Sequence, residues 1–423
     1  MRKQKSFGAA AAIALICLSA AASAQLALPR VDLPQKVELP VELPDTGALS
    51  MRSLGRTLEA ARIDRLTDFV RINREAVEWD ADRNPSVRGV LIAEGVDDAA
   101  VAKAVKAGFA ILDREHIDGL DMDIVRFVVP DKFSLKSAQK QLQALLPEHE
   151  IDADNIYFQS SNLPTTALSA AVLATGSVAN ASLGLIDGGV ASHASVTGRV
   201  EQKGFAKGAP TVSGHGTSVA ALLIGKGSVS GGAPGASLLA ADVYGTDKAG
   251  GNASAITRSL GWLAGRGISV VTISLVGPDN ALLKKAIASA QRKGMIVVAA
   301  VGNDGPAAPA AFPASYYGVL AVTGVDAKNR ALPEAGWTSH TDFAAPGAGI
   351  NSALDDTRTG KVRGTSFAAP LVAARLSTFY PRQASTSVEA AIRKLMNEAV
   401  DLGKKGRDPI YGHGLICGTC VSR

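Results

Sequence analysis

The sequence predicts an α/β protein: a parallel sheet with helices on both faces, preceded by a small α+β unit of βαββαβ order. Two observations carry this. In the second half of the chain, strand-like runs at 182–186, 237–243, 270–275, 295–300 and 319–325 alternate with helix-like runs at 213–224, 253–265, 280–293, 367–379 and 387–400. That alternation is the mark of a parallel sheet whose strands are joined by crossover helices. Between 87 and 158 the elements are shorter, and their order is that of an open-faced sandwich. A length of 423 residues accommodates two or three domains.

From the N-terminus, residues 1–6 carry Arg2, Lys3 and Lys5, and 7–20 are apolar. Ala22-Ser23-Ala24 then offers small residues for a cleavage site before Gln25. This is the pattern of a signal peptide at 1–24, and it implies an exported protein, secreted or periplasmic. An uncleaved anchor is the alternative, although the apolar core is short for a membrane span. No later stretch is long and apolar enough to cross a bilayer, so no span is expected in the mature chain. Residues 25–80 form a second segment. Leu28-Pro29, Leu33-Pro34, Leu39-Pro40 and Leu43-Pro44 suit an extended linker. At 49–79, Leu54, Leu58, Ala61, Leu66, Phe69, Val70 and Ile72 recur near helical spacing among arginines. They predict an amphipathic helix, packed on a neighbour or lying on a membrane surface.

Residues 81–159 hold the α+β unit. Its strands are expected at 87–93, 110–116, 121–129 and 151–158. Its helices are expected at 97–107, capped by Asp97, and at 134–146, capped by Ser134 and stopped by Pro147. A Ser-, Thr- and Ala-rich stretch at 160–175 suits a linker and a cleavage region. The domain that follows occupies 160–423.

The net charge of +5 is mild, and its Lys and Arg residues are dispersed, so no nucleic-acid surface is inferred. Of three cysteines, Cys17 leaves with the signal peptide. Cys417-Gly418-Thr419-Cys420 lies near the end of an exported chain, which favours a local disulfide. A metal site there would need further ligands, and only His413 is near.

The chemistry concentrates in three stretches. Gly364-Thr365-Ser366-Phe367-Ala368-Ala369-Pro370 opens an apolar helix-forming run. Ser366 therefore stands at or near a helix N-terminus, where backbone N–H groups favour negative charge. By itself this is equally a plain N-cap serine. Of six histidines, His215 lies in Ser213-Gly214-His215-Gly216-Thr217-Ser218, flanked by glycines at the start of a helix-like run. Asp187 ends a strand-like run, followed by Gly188 and Gly189. Chemistry in open α/β sheets collects at the carboxyl ends of strands. A serine nucleophile needs a base, an orienting acid and oxyanion donors, and the order Asp187, His215, Ser366 supplies the first two.

With these motifs in these positions, the chain between about 181 and 416 resembles the subtilases, the subtilisin-like serine proteases of peptidase family S8. The resemblance implies a subtilisin-like parallel sheet, peptide and protein substrates, and a triad of Asp187, His215 and Ser366. In Val301-Gly302-Asn303-Asp304-Gly305 it assigns Asn303 as the oxyanion-hole side chain, acting with the Ser366 backbone N–H. Ser274, Leu275 and Val276 resemble the strand along which the substrate backbone is laid. Val276 and Ala311 stand where the family commonly has glycine, which implies a small to medium apolar residue before the cut bond. Phe312-Pro313 resembles a family turn with a cis proline. The unit at 81–159 takes the position of a prodomain, an inhibitory partner carried by the same chain and self-cleaved between about 157 and 170. An unrelated accessory domain is the alternative. No cofactor is required; structural calcium is common in the family, yet no loop here is rich enough in carboxylates for metal ligands to be named.

Three other readings differ at these same residues. A sedolisin-like acid protease would use glutamate as base, and the glycine-flanked His215 argues against it. An esterase would favour a Gly-x-Ser-x-Gly elbow, which Ser366 lacks. An inactive protease fold would have lost a triad member, and none is lost.

Overall fold

The computed structural model describes residues 51–160, 182–383 and 386–421. The expected signal peptide, the proline-rich stretch and nearly all of the 160–175 stretch lie outside the described residues. A 22-residue helix, α1 (Met51–Ile72), comes first. Leu54, Leu66 and Val70 are buried on it, as the apolar spacing predicts, whereas Ile72 is exposed. The helix is shorter than the 49–79 pattern suggests. Asn73 donates both its backbone N–H and its side-chain amide to the Phe69 carbonyl, which turns the chain. Val77–Trp79 then becomes a short strand, β1.

The α+β unit is built from β2 (Pro85–Glu94), α2 (Asp98–Lys106), β3 (Ala110–Ile117), β4 (Met122–Val128), α3 (Leu135–Leu145) and β5 (Ile151–Asn155). β4 and β5 flank β2, β3 lies beyond β4, and β1 pairs with the start of β2, all antiparallel. Asp97 and Ser134 cap α2 and α3 by accepting the N–H groups of Ala100 and Ser137. Side chains alternate between the two faces of the sheet. Leu91, Ala93, Val125 and Phe127 form an inner core with Val101, Ala104, Leu135 and Leu142 of the helices. Val90, Ile92, Met122 and Ile124 point the other way, into a core shared with the larger domain. The expected last strand, 151–158, divides: β5 stays in this sheet, and β6 (Phe158–Gln159) leaves it.

The larger domain contains β7 (Leu183–Asp187), β8 (Val200–Gly204), α4 (Gly214–Ile224), β9 (Leu238–Asp242), α5 (Ala253–Gly265), β10 (Val270–Ile273), β11 (Leu275–Val276), α6 (Ala281–Arg292), β12 (Ile296–Ala300), β13 (Leu320–Val325), β14 (Phe343–Pro346), β15 (Ala348–Ala353) and β16 (Thr359–Arg363). A 3₁₀ turn (Thr365–Phe367), α7 (Ala369–Phe379) and α8 (Val388–Glu398) follow. Seven strands make one parallel sheet in the order β14-β13-β12-β10-β7-β9-β8. Leu183, Leu185, Val270 and Val298 pack towards α4 and α7. Ile186, Val271, Ile273 and Val297 pack towards α5 and α6. Helices therefore cover both faces, as the alternation of runs predicts.

Cys417 and Cys420 are joined by a disulfide, and the Phe312–Pro313 bond is cis. No described helix is long and apolar enough to cross a membrane. Among the described residues, no group of three or more His, Cys, Asp or Glu side chains could hold a metal ion.

Candidate active site

Three neighbouring strands, β7, β10 and β12, deliver the site from their carboxyl ends. β7 ends at Asp187, which is fully buried. Its carboxylate accepts the Gly188 N–H at 2.7 Å. Ser213 caps α4 by accepting the Gly216 N–H, which sets His215 in the first turn of that helix. Gly216 carries the close approach: a Cβ there would lie 2.2 Å from the Gly188 carbonyl oxygen. With no side chain at 216, the start of α4 closes onto the end of β7. His215 Nδ1 then sits 2.8 Å from both Asp187 carboxylate oxygens. That contact fixes the ring and directs Nε2 away from the acid.

Ser366 lies in the 3₁₀ turn before α7, with Pro370 in the first turn of the helix proper. The Phe367 ring packs 5.4 Å from the His215 ring, centroid to centroid, so this turn is held against the imidazole. Ser366 Oγ and His215 Nε2 are both buried, and neither has a hydrogen-bond partner among the described residues. Such contacts are often loose before substrate is bound. Asn303 follows β12. Its side-chain oxygen accepts the Thr365 N–H at 3.0 Å, and the Thr365 hydroxyl donates to the Gly302 carbonyl at 3.1 Å. With the amide oxygen engaged, the amide nitrogen is the end left to donate.

Ser274 follows β10, and its hydroxyl donates to the Ser366 carbonyl at 3.0 Å. Leu275 and Val276 form β11, and the strand beside them is β6, from the α+β unit. Leu275 pairs with Gln159 and Val276 with Phe158, antiparallel. The Ser160 N–H and hydroxyl both donate to the Ser274 carbonyl at 3.1 Å. Six other contacts lock this tail. The Tyr157 N–H donates to the Gly251 carbonyl at 2.9 Å. The Tyr157 hydroxyl donates to the Pro278 carbonyl, and the Tyr244 hydroxyl to the Tyr157 carbonyl. The fully buried Tyr157 ring fills the place where a Cβ on Gly277 would stand, 2.5 Å away. Gln159 Nε2 donates to Asp187 at 3.1 Å and to Ser213 at 3.2 Å.

The seven sequence-predicted site residues thus converge. Sequence reasoning missed Gly251, Tyr244 and Gln159; the pair Gly250-Gly251 was the one signal available for them. Val276 and Ala311 both face Gly302, with side-chain atoms 3.2 Å and 3.8 Å from where its Cβ would be. His193 is buried in the turn after β7, and burial lowers its pKa from the usual value.

The α+β unit docks through Asp152 and Asp154 at helix N-termini, where orphan N–H groups are available. Asp154 accepts the Ser254 N–H and hydroxyl at the start of α5. Asp152 accepts the Ala281 N–H at the start of α6. Asn280 also donates to the Ala153 carbonyl and to Asn155. Burial pushes the Asp152 carboxyl up from 3.8 to about 6, helped by the neighbouring charges of Glu150 and Asp279, and burial raises Asp154 too. The docked Asp152 holds its proton to higher pH than the free one, so docking takes up protons in that window. The Asp152 contribution to docking should be largest below about pH 4 and be lost as pH rises through about 6. Hydrogen exchange of residues 151–160 in a Ser366→Ala chain, corrected for intrinsic rates, should show protection falling across that window. Asp152→Asn should flatten the change, and an unchanged profile would contradict it.

The sequence profile of the subtilase family matches residues 178–414. Over 342 residues the chain is 28% identical to the minor extracellular protease Epr of Bacillus subtilis, covering 79% of this chain and 52% of that one. It thus spans about half the length of Epr. It is 32% identical to subtilisin BL of Lederbergia lenta over 246 residues, covering 56% of this chain and 89% of that one. By structure it is similar to fervidolysin of Fervidobacterium pennivorans, with TM-score 0.64 and 18% identity over 79% of this chain and 61% of the other. It is also similar to the epidermin leader peptide processing protease of Staphylococcus aureus, with TM-score 0.59 and 19% identity over 79% and 97%.

Proposed function

The chain belongs to the subtilase family, and from that premise we propose that it is an exported serine endopeptidase, made as a proenzyme that cuts itself. Export rests on the basic and apolar start of the sequence and on the extracellular relative. In the proposed reaction, His215 Nε2 accepts the Ser366 hydroxyl proton as Oγ attacks a peptide carbonyl. Asp187 holds Nδ1–H and stabilises the imidazolium that forms. The Asn303 amide and the Ser366 backbone N–H donate to the oxyanion. The imidazolium then protonates the leaving amine. Water, deprotonated by the same base, releases the acyl group and restores Ser366.

The observation that carries the self-processing reading is the pairing of the 158–160 tail with 274–276. This is a strand added to an open edge, in which main-chain bonds bind and side-chain pockets select. Ser160 ends the pairing opposite Ser274, which itself touches the Ser366 carbonyl. The tail therefore runs towards the nucleophile, and the Ser160 carbonyl is the group we assign to attack. Ser160 is small, as a pocket narrowed by Val276 and Ala311 would favour, but its hydroxyl departs from the apolar residue expected before the cut bond. After the cut, the tail would stay as bound product, with Gln159 held on Asp187 and Ser213. N-terminal sequencing of the larger fragment of purified protein should read from Ser161. A fragment starting elsewhere within 158–171 would move the cut bond off Ser160, and one starting outside that range, or an active enzyme that remains one chain, would overturn the self-processing reading.

A further inference from the structure

α1 stands outside the α+β sheet, yet it touches both the loop after Asn303 and the tail strand. Near its middle it meets the loop directly after Asn303. Arg65 makes an ion pair with Asp304 at 2.8 Å. Leu58 seats on Gly305, whose φ is +83°; a Cβ there would fall 2.7 Å from Leu58 Cδ1. Gly55 comes close to Ala307, with its own would-be Cβ 3.2 Å from the alanine methyl. Near its end, the Phe69 ring packs edge-on against Phe158 at 5.0 Å. Val70 joins a small core with Val77, Ile156 and Ala249. The loop contacts fall between Gly55 and Arg65 and the tail contact at Phe69, so successive turns of one helix, each rising about 5.4 Å, touch the loop and the back of the tail strand. β6 therefore has β11 along one edge and α1 against the Phe158 side chain.

We propose that α1 is a second inhibitory anchor, a strap that holds the severed N-terminal fragment on the enzyme through the 304–307 loop. The proposal rests on the self-processing reading, because it concerns what happens once the bond after Ser160 is cut. The cut leaves α1, the α+β unit and the tail in one fragment. The contacts of Leu58, Arg65 and Gly55 then join two chains. They involve different residues from the contacts at α5 and α6, so the fragment is held at two separate places. Release from one leaves it tethered by the other, at high effective concentration near the cleft. α1 thereby sets how long the enzyme stays silent after cutting. The loop it grips directly follows Asn303, so the strap is anchored beside the proposed oxyanion donor.

The test uses the full exported chain and two readouts: gel analysis for the cut, and the lag before hydrolysis of an added fluorogenic peptide. Leu58→Asp puts a charge on the seat at Gly305, and Arg65→Glu turns the ion pair into a repulsion. Each should be cut as fast as wild type, yet shorten the lag about tenfold for Leu58→Asp and several-fold for Arg65→Glu. Arg65→Lys should keep the wild-type lag. Ile63→Asp, on a half-exposed side chain of the same helix, should keep it too. Equal lags in wild type, Leu58→Asp and Arg65→Glu would overturn the strap. So would an Ile63→Asp lag as short as theirs, since the effect would then be general loss of the helix. If Leu58→Asp is not cut, Arg65→Glu decides alone. If wild type itself stays one chain, it is the self-processing reading that fails. The strap is then judged by whether uncut Leu58→Asp and Arg65→Glu hydrolyse the peptide faster than uncut wild type.

Discussion

Ser366→Ala should lower peptide hydrolysis by roughly 10⁶-fold and leave the exported chain uncut. Two different measurements thus depend on one oxygen atom. The loss is large because triad members act as a unit: without Oγ, the base and the acid have no proton to manage. The fold should survive. The hydroxyl has no hydrogen-bond partner among the described residues, so its removal leaves no protein group newly unpaired. The Ser366 carbonyl still accepts from Ser274, and Phe367 still packs on His215. Wild type and Ser366→Ala should therefore unfold at similar temperatures while differing in activity and in chain count. A Ser366→Ala chain that still cuts itself would remove Ser366 from the reaction.

Asn303→Ala should lower kcat about 10²- to 10³-fold with little change in KM, because its amide meets the oxygen only once negative charge develops. Alanine also strips the partner from the Thr365 N–H, which sits next to Ser366. Asn303→Asp separates the two effects. It keeps an oxygen for the Thr365 N–H but cannot donate, and it brings negative charge towards the forming oxyanion. It should be at least as poor as Asn303→Ala. An Asn303→Asp enzyme with near wild-type kcat would show that the Thr365 contact, and not donation, is what position 303 contributes.

The parts of this architecture that were legible in sequence are those set by local pattern. Interior strands such as β7, β10 and β12 are short apolar runs, and the caps Ser213, Asp97 and Ser134 stand where helix N-termini should. The two edge strands of the sheet were not seen. β8 reads Val-Glu-Gln-Lys-Gly and needs no continuous apolar run, because an edge has a neighbour on one side only. β14 is Phe-Ala-Ala-Pro, short and proline-ended, and is covered by the chain near Leu415. In the site, glycines beside His215 hinted at close approach, but that Gly216 yields to the Gly188 carbonyl is a fact of tertiary packing. The reach of Gln159 to Asp187 and the pairing of Arg65 with Asp304 join residues far apart in sequence, and no periodicity encodes them. The apolar stripe of α1 was visible; what it would cover was not.

The central claim is that Asp187, His215 and Ser366 make this chain a serine endopeptidase. It is tested most directly by treating the purified active protein with a fluorophosphonate probe and locating the adduct by mass spectrometry. The account predicts one adduct, on Ser366, formed in step with the loss of peptide hydrolysis and absent from the His215→Ala and Ser366→Ala chains. Full inactivation with the adduct on any other residue, or undiminished hydrolysis by protein fully labelled at Ser366, would contradict it.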